Sequence, residues 1–211
     1  MTIDIHAHYV PAELIARARS QNDLGVRILD GAPTPALEFE YGFKVRPFFP
    51  KLIEDVQQRV AWLDSQKIDY QLVATWPDIY GYGLAEEKGV AWHRLLNDTL
   101  AAWCSENAQR FGFIASVPMT EAKDAAAEFK RTVRLGACGI MVPANVEGTN
   151  LGEVPLDPLW AEVEKTGVAP EAMTSIGRNV VAALIHDGWV APRYDPDDPP
   201  PPPPTIRRNG D

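Results

Sequence analysis

The sequence predicts an α/β fold built on a parallel sheet buried on both faces. Two observations carry that reading. Strand-like and helix-like stretches alternate from Ile3 to Val168 in four strand-then-helix steps of about 40 residues each. The strand candidates are continuously apolar rather than alternating, as expected of strands covered by helices on both sides. Pattern alone leaves open whether such a sheet is open or closed into a barrel.

The first strand is Ile3-Asp4-Ile5-His6-Ala7-His8-Tyr9. Strict alternation would put Ile3 and Ile5 on one face and Asp4, His6 and His8 on the other. Two histidines one residue apart on a strand point the same way, roughly 7 Å apart, where two imidazoles can converge on one divalent ion. The pair lies at the carboxyl end of a strand, where ligands gather in α/β sheets. Pro11 suits the first position of a helix spanning Ala12 to Arg19.

A glycine- and proline-punctuated excursion follows, from Gln21 to Phe49. Val26–Leu29 and Leu37–Phe43 within it read as a small hairpin. A long excursion after the first strand is uncommon unless it covers something, and here it could cover the His-x-His end.

From Pro50 the order is regular. A helix carries Leu52, Val56, Val60 and Leu63 at helical spacing. The strand Tyr70–Trp76 is halted by Pro77. A helix runs from Ala85 to about Arg110 with the stripe Trp92, Leu96, Leu100 and Trp103. His93, beside that stripe, is expected at the surface. The strand Phe111–Val117 ends at Pro118, and Thr120 is placed to cap a helix from Glu121 to Leu135. Gly136 suits its C-terminal cap. Cys138–Val142 is the fourth strand, Asp157 to Thr166 a further helix, and Val168-Ala169 the start of a fifth strand.

Beyond Pro170 the character changes. Glu171 to Asp187 has helical spacing at Met173, Ile176, Val180 and Leu184, although Val180–Ile185 could instead be a strand ending at His186. From Trp189 the chain holds eight of its 19 prolines, six consecutive from Pro199 to Pro204. Such a tail cannot build a core and is expected to be disordered or polyproline-like. The expected organisation is therefore one unit over residues 1–170, a helix over 171–188 and a tail over 189–211.

The composition, 45% hydrophobic and 23% charged, is that of an ordinary globular protein. A net charge of −9 argues against nucleic acid and anionic membrane as partners. No apolar run reaches the ~18 residues of a membrane span, and the residues before the first strand do not read as a charged-then-apolar leader, so none is expected. Cys104 and Cys138 have no metal spacing and read as buried reduced thiols, which favours the cytoplasm.

An ordered set of motifs across residues 1 to about 169 adds a resemblance. It comprises Asp4-Ile5-His6-Ala7-His8, Arg59-Val60-Ala61-Trp62-Leu63-Asp64 and Leu96-Asn97-Asp98. It continues with Gln109–Pro118, Leu135–Ile140, Asn145–Gly148, Leu156–Trp160 and Glu164–Gly167. With these the chain resembles the metal-dependent amidohydrolase-related decarboxylases, the group of aminocarboxymuconate-semialdehyde decarboxylase and its relatives.

The resemblance implies the N-terminal half of a (β/α)8 TIM-type barrel, about four βα units, holding one divalent metal, usually zinc. It implies non-oxidative decarboxylation of an unsaturated or aromatic acid, a small-molecule carboxylate substrate. The alternatives are a superfamily hydrolase acting on a lactone or amide, and a non-catalytic half-barrel; without the later-strand catalytic residues the truncated chain as written is expected to be impaired. By the same resemblance His6 and His8 are metal ligands, and Arg46 is the candidate for the substrate carboxylate, with a solvated loop arginine as its alternative. The fourth strand has no lysine, which disfavours a two-metal site bridged by a carbamylated lysine.

The family's later histidines and its metal aspartate follow a fifth, sixth and eighth strand, and they have no counterpart before Pro170. A shifted reading frame or a mis-called gene end would account for this, and the coding DNA read in the other frames should then recover a fifth strand followed by histidine. A half-barrel would also leave sheet edges that invite pairing into a homodimer.

Overall fold

The computed structural model describes residues 1–31, 33–146, 148–167, 169–173 and 181–182. The expected disordered tail over 189–211 and His186 lie outside them.

The main sheet is built from β1 (Ile3–His8), β4 (Tyr70–Ala74), β5 (Phe111–Ser116), β6 (Gly139–Pro143), β9 (Ala169–Met173) and β10 (Val181–Ala182), in that spatial order. The first five strands run parallel, and β10 lies antiparallel to β9. Helices α2 (Val56–Ser65), α3 (Glu86–Glu106), α4 (Ala122–Arg134) and α5 (Asp157–Thr166) connect successive parallel strands, and a short antiparallel pair, β7 (Asn145–Val146) and β8 (Thr149–Asn150), lies between β6 and α5. Four βα units and a fifth strand make this half of a (β/α)8 barrel.

The side chains sort into two layers. Val73, Phe111, Phe113 and Ala115 pack with Leu63 of α2 and with Leu100 and Cys104 of α3. Further along, Ile140 and Val142 pack with Ala125 and Phe129 of α4 and with Leu159 and Val163 of α5. Ala74, Ile114 and Met141 belong to a different cluster on the other side, with Val10, Leu14, Leu24, Phe39 and Phe48. That cluster is supplied by α1 (Ala12–Ser20) and by the excursion after it, which holds the hairpin of β2 (Val26–Leu29) and β3 (Ala36–Phe39). It is tied down where the Val10 N–H donates to the Leu52 carbonyl at 2.7 Å. Val10 and Trp76, just past β1 and β4, pack in the same cluster as Leu37, Phe39 and Phe48 of the excursion, while His6 and His8 are half-buried.

Local departures from expectation have simple causes. The helix expected from Pro50 is divided into a 3-10 turn, Pro50–Leu52, and α2, because Asp55 caps α2 by accepting the Gln58 N–H at 2.8 Å. Helix α4 starts at Ala122, so Glu121 occupies the capping position without a side-chain bond. Thr120 therefore falls one residue outside the cap. Gly136, at φ +90°, ends that helix as expected.

Cys104 is buried, whereas Cys138 is exposed at the amino end of β6 rather than buried. The helix expected over 171–188 differs in its described part. Gly167, at φ +68°, stops α5, and Ala169–Met173 pairs in parallel register with β6, Met141 opposite Glu171. Sheet pairing overrides the helical spacing there. Among the described residues no helix is long and apolar enough to cross a membrane.

Candidate metal centre

The site begins with an irregularity in β1. Asp4 lies opposite Gln71 and Ala7 opposite Val73, three steps along β1 against two along β4. This bulge resets the alternation. Asp4 and Ala7 both face the side of Gln71 and Val73, while His8, opposite Ala74, faces the other. Asp4 therefore does not join the histidines, as regular alternation would have it. Its carboxylate accepts from Gln71 Nε2 at 2.7 Å and from the His6 N–H at 3.2 Å.

His6 and His8 do come together. Their ring centroids are 4.9 Å apart with the planes at 80°, closer than the regular i, i+2 spacing of roughly 7 Å. Burial, reinforced by the neighbouring His6, lowers the His8 pKa to about 4, so its ring is neutral at pH 7. Its Nδ1 is buried with no hydrogen-bond partner. A neutral imidazole with an unsatisfied buried nitrogen, facing a second imidazole, fits two positions of a divalent metal's donor set. Among the described residues no group of three His, Cys, Asp or Glu side chains converges to complete that set.

Arg46 reaches the same end of the sheet. Its guanidinium lies 4.7 Å from the Phe49 ring centroid and 5.2 Å from that of Trp76, two residues past the end of β4. It is exposed and bonds the Asp78 carboxylate at 3.2 Å. A cation held against two aromatic rings suits the carboxylate of a flat acid.

The sequence reading missed a buried polar cluster on the neighbouring units. His93, expected at the surface, is 1% exposed. Its Nδ1 meets Ser116 Oγ at 2.8 Å, and its ring lies against Tyr82 with centroids 5.6 Å apart. Its Nε2 and the Tyr82 hydroxyl are buried without partners, and burial takes the His93 pKa down to about 3.

One turn on, Asn97 accepts the Ser116 N–H at 2.9 Å and donates to the Ser116 carbonyl at 2.8 Å. It also donates to Glu128 at 2.7 Å, and Arg131 holds that buried carboxylate with two bonds of 2.8 Å. These residues lock α3, β5 and α4 together at the carboxyl end of β5. The signal was available: His93 and Asn97 are four residues apart and flank an apolar stripe, as two polar residues on a helix face that is itself buried.

Comparison with known proteins agrees with this architecture. The amidohydrolase family model matches residues 3–201. The 2-amino-3-carboxymuconate-6-semialdehyde decarboxylase of Dictyostelium discoideum is 34% identical over 116 residues, covering 54% of this chain and 32% of that protein. The IDCase of Metarhizium anisopliae, solved in its apo form, superposes with a TM-score of 0.65 at 17% identity, covering 85% of this chain and 52% of its own. The 5-carboxyvanillate decarboxylase of Novosphingobium aromaticivorans, solved with bound manganese, gives a TM-score of 0.59 at 18% identity, covering 81% and 49%. The chain thus spans about a third of the length of the curated relative (32%) and about half that of the solved ones. With the matched model extending over most of its residues, the chain belongs to the amidohydrolase family.

Proposed function

We propose that this chain carries the first part of a metal-dependent carboxy-lyase site, in which His6 and His8 hold one divalent ion, zinc, and Arg46 receives the carboxylate of an unsaturated or aromatic acid. The observation that carries the reading is the convergence of the two imidazoles, with a buried, unsatisfied His8 nitrogen. The similarity to a semialdehyde decarboxylase favours decarboxylation over hydrolysis of a lactone or amide.

The bound ion would supply Lewis acidity toward an oxygen of the acid or a water. The chain's own residues do the rest of what is proposed. Arg46 exchanges Asp78 for the substrate carboxylate and, with Phe49 and Trp76, holds the acid flat. Leu37, Phe39 and Phe48 of the excursion pack with Val10 and Trp76 beside the strand ends, which would limit the access of water there. Among the described residues no third His, Cys, Asp or Glu converges on the pair. A second copy of the chain, pairing along an open sheet edge, would be a homodimer that sedimentation can detect.

The test is the metal content of the purified full chain after dialysis against zinc, beside a His6→Ala/His8→Ala variant. We expect the wild type to retain zinc that the variant loses. Equal, sub-stoichiometric metal in both would remove the proposed site. Release of carbon dioxide from aromatic and unsaturated acids, set against hydrolysis of lactones and amides, separates the two chemistries.

A further inference from the structure

We infer that Arg59 is a positioning residue for the His6–His8 pair, acting on both histidines through their backbone. The inference rests on the reading of that pair as metal donors. Arg59 lies on α2 and is 4% exposed. Its guanidinium sends out two arms. Nη2 donates to the His8 carbonyl at 3.1 Å. Nε donates to Gln71 Oε1 at 2.8 Å, Gln71 Nε2 donates to Asp4 at 2.7 Å, and Asp4 accepts the His6 N–H at 3.2 Å. The remaining nitrogen is anchored on the Lys51 carbonyl at 3.2 Å and beside Glu54 at 3.4 Å.

The two arms end on either side of the bulge in β1. A bulge interrupts the ladder, so the backbone groups around it need other partners. Here the His6 N–H finds Asp4 and the His8 carbonyl finds Arg59. The same bulge turns Asp4 away from the rings and leaves His6 and His8 facing each other. An arginine is costly to bury, and a methionine would fill similar volume without that cost. What a methionine lacks is a planar fork that binds Gln71 and the His8 carbonyl at once. Lysine, with a single ammonium, could reach only one of them well.

The test uses the full chain as wild type, Arg59→Lys, Arg59→Met and Gln71→Met. Zinc affinity is measured by competition with a chelator, the histidine ring signals of the metal-free chain by NMR, and folding by thermal unfolding. We expect Arg59→Met and Gln71→Met to shift the His6 and His8 ring signals while those of His93 stay in place. Zinc affinity should fall by about 10–100-fold, with Arg59→Lys between these variants and the wild type.

Folded Arg59→Met or Gln71→Met with wild-type affinity and unmoved ring signals would overturn the inference. Should Arg59→Met not fold, Gln71→Met decides, since it cuts one arm and leaves Arg59 in place. A wild type that binds no more zinc than His6→Ala/His8→Ala would instead sink the donor reading. In that case the ring signals of the metal-free variants still decide the role of Arg59.

Discussion

His93 Nδ1 meets Ser116 Oγ at 2.8 Å inside the wall between α3 and β5. The contact fixes a histidine where no water reaches it, and burial takes its pKa from 6.5 to about 3. The folded chain therefore binds fewer protons at this position than the unfolded chain. Stability from this group is complete above pH 6.5 and declines as pH falls from 6.5 toward 3, by about 1.4 kcal/mol per pH unit. Wild type should lose about 2 kcal/mol more than His93→Gln between pH 7 and pH 5, measured by urea unfolding at each pH. Parallel losses in the two proteins would show that His93 is protonated in the folded state.

Asn97 makes three bonds at once, two to the Ser116 backbone and one to Glu128. Asn97→Ala would strip the backbone of Ser116 of both partners and leave the buried Glu128 with one donor fewer. The expected loss is about 2–4 kcal/mol, by chemical denaturation. Asp98→Ala, one residue on, removes only a partly exposed ion pair with Arg131 and should cost about 1 kcal/mol or less.

The central strands of the main sheet were legible because they are buried on both faces, so an apolar run needs no alternation to be seen. Phe111–Ser116, buried at every position, is the clearest case. What could not be read was anything set by a neighbour. The bulge in β1 depends on pairing with Gln71 and Val73, and a period of two in the sequence placed Asp4 on the wrong face. His93 looked exposed because one apolar stripe explains a helix packed on one side, whereas α3 is also covered at its amino-terminal half by the excursion. The closeness of the His6 and His8 rings was readable because both come from one strand. Side chains brought together from distant strands leave no such local mark.

Gly81 has φ +68°, and a β-carbon there would lie 2.4 Å from Cε1 of the buried Phe39. The hairpin closes over the segment after β4 through this close approach. Gly81→Ala carries both the left-handed strain and an overpacking term, together about 2–4 kcal/mol. Gly42→Ala, at φ +90° with open space around it, carries only the strain, about 1–2 kcal/mol. Equal losses for the two variants, measured by thermal unfolding, would mean that the hairpin does not press on Gly81.

Arg46 is held by Asp78 on one side and by the Phe49 and Trp76 rings on the other. If its role is to take a substrate carboxylate, Asp78 competes for the same guanidinium. Two substitutions then act in opposite directions on binding. Arg46→Ala should weaken binding of an aromatic carboxylic acid by about tenfold or more, because the charge-assisted bond is lost. Asp78→Asn should tighten binding a few-fold, roughly the worth of an exposed ion pair that no longer has to be broken. Neither should shift folding stability by more than about 1 kcal/mol, since both side chains are well exposed. Calorimetric titration of the zinc-loaded full chain with a hydroxybenzoate, at two salt concentrations, reads both effects. Weaker binding in Asp78→Asn would mean that the carboxylate orients Arg46 rather than competing for it, and the exchange proposed for this residue would fall.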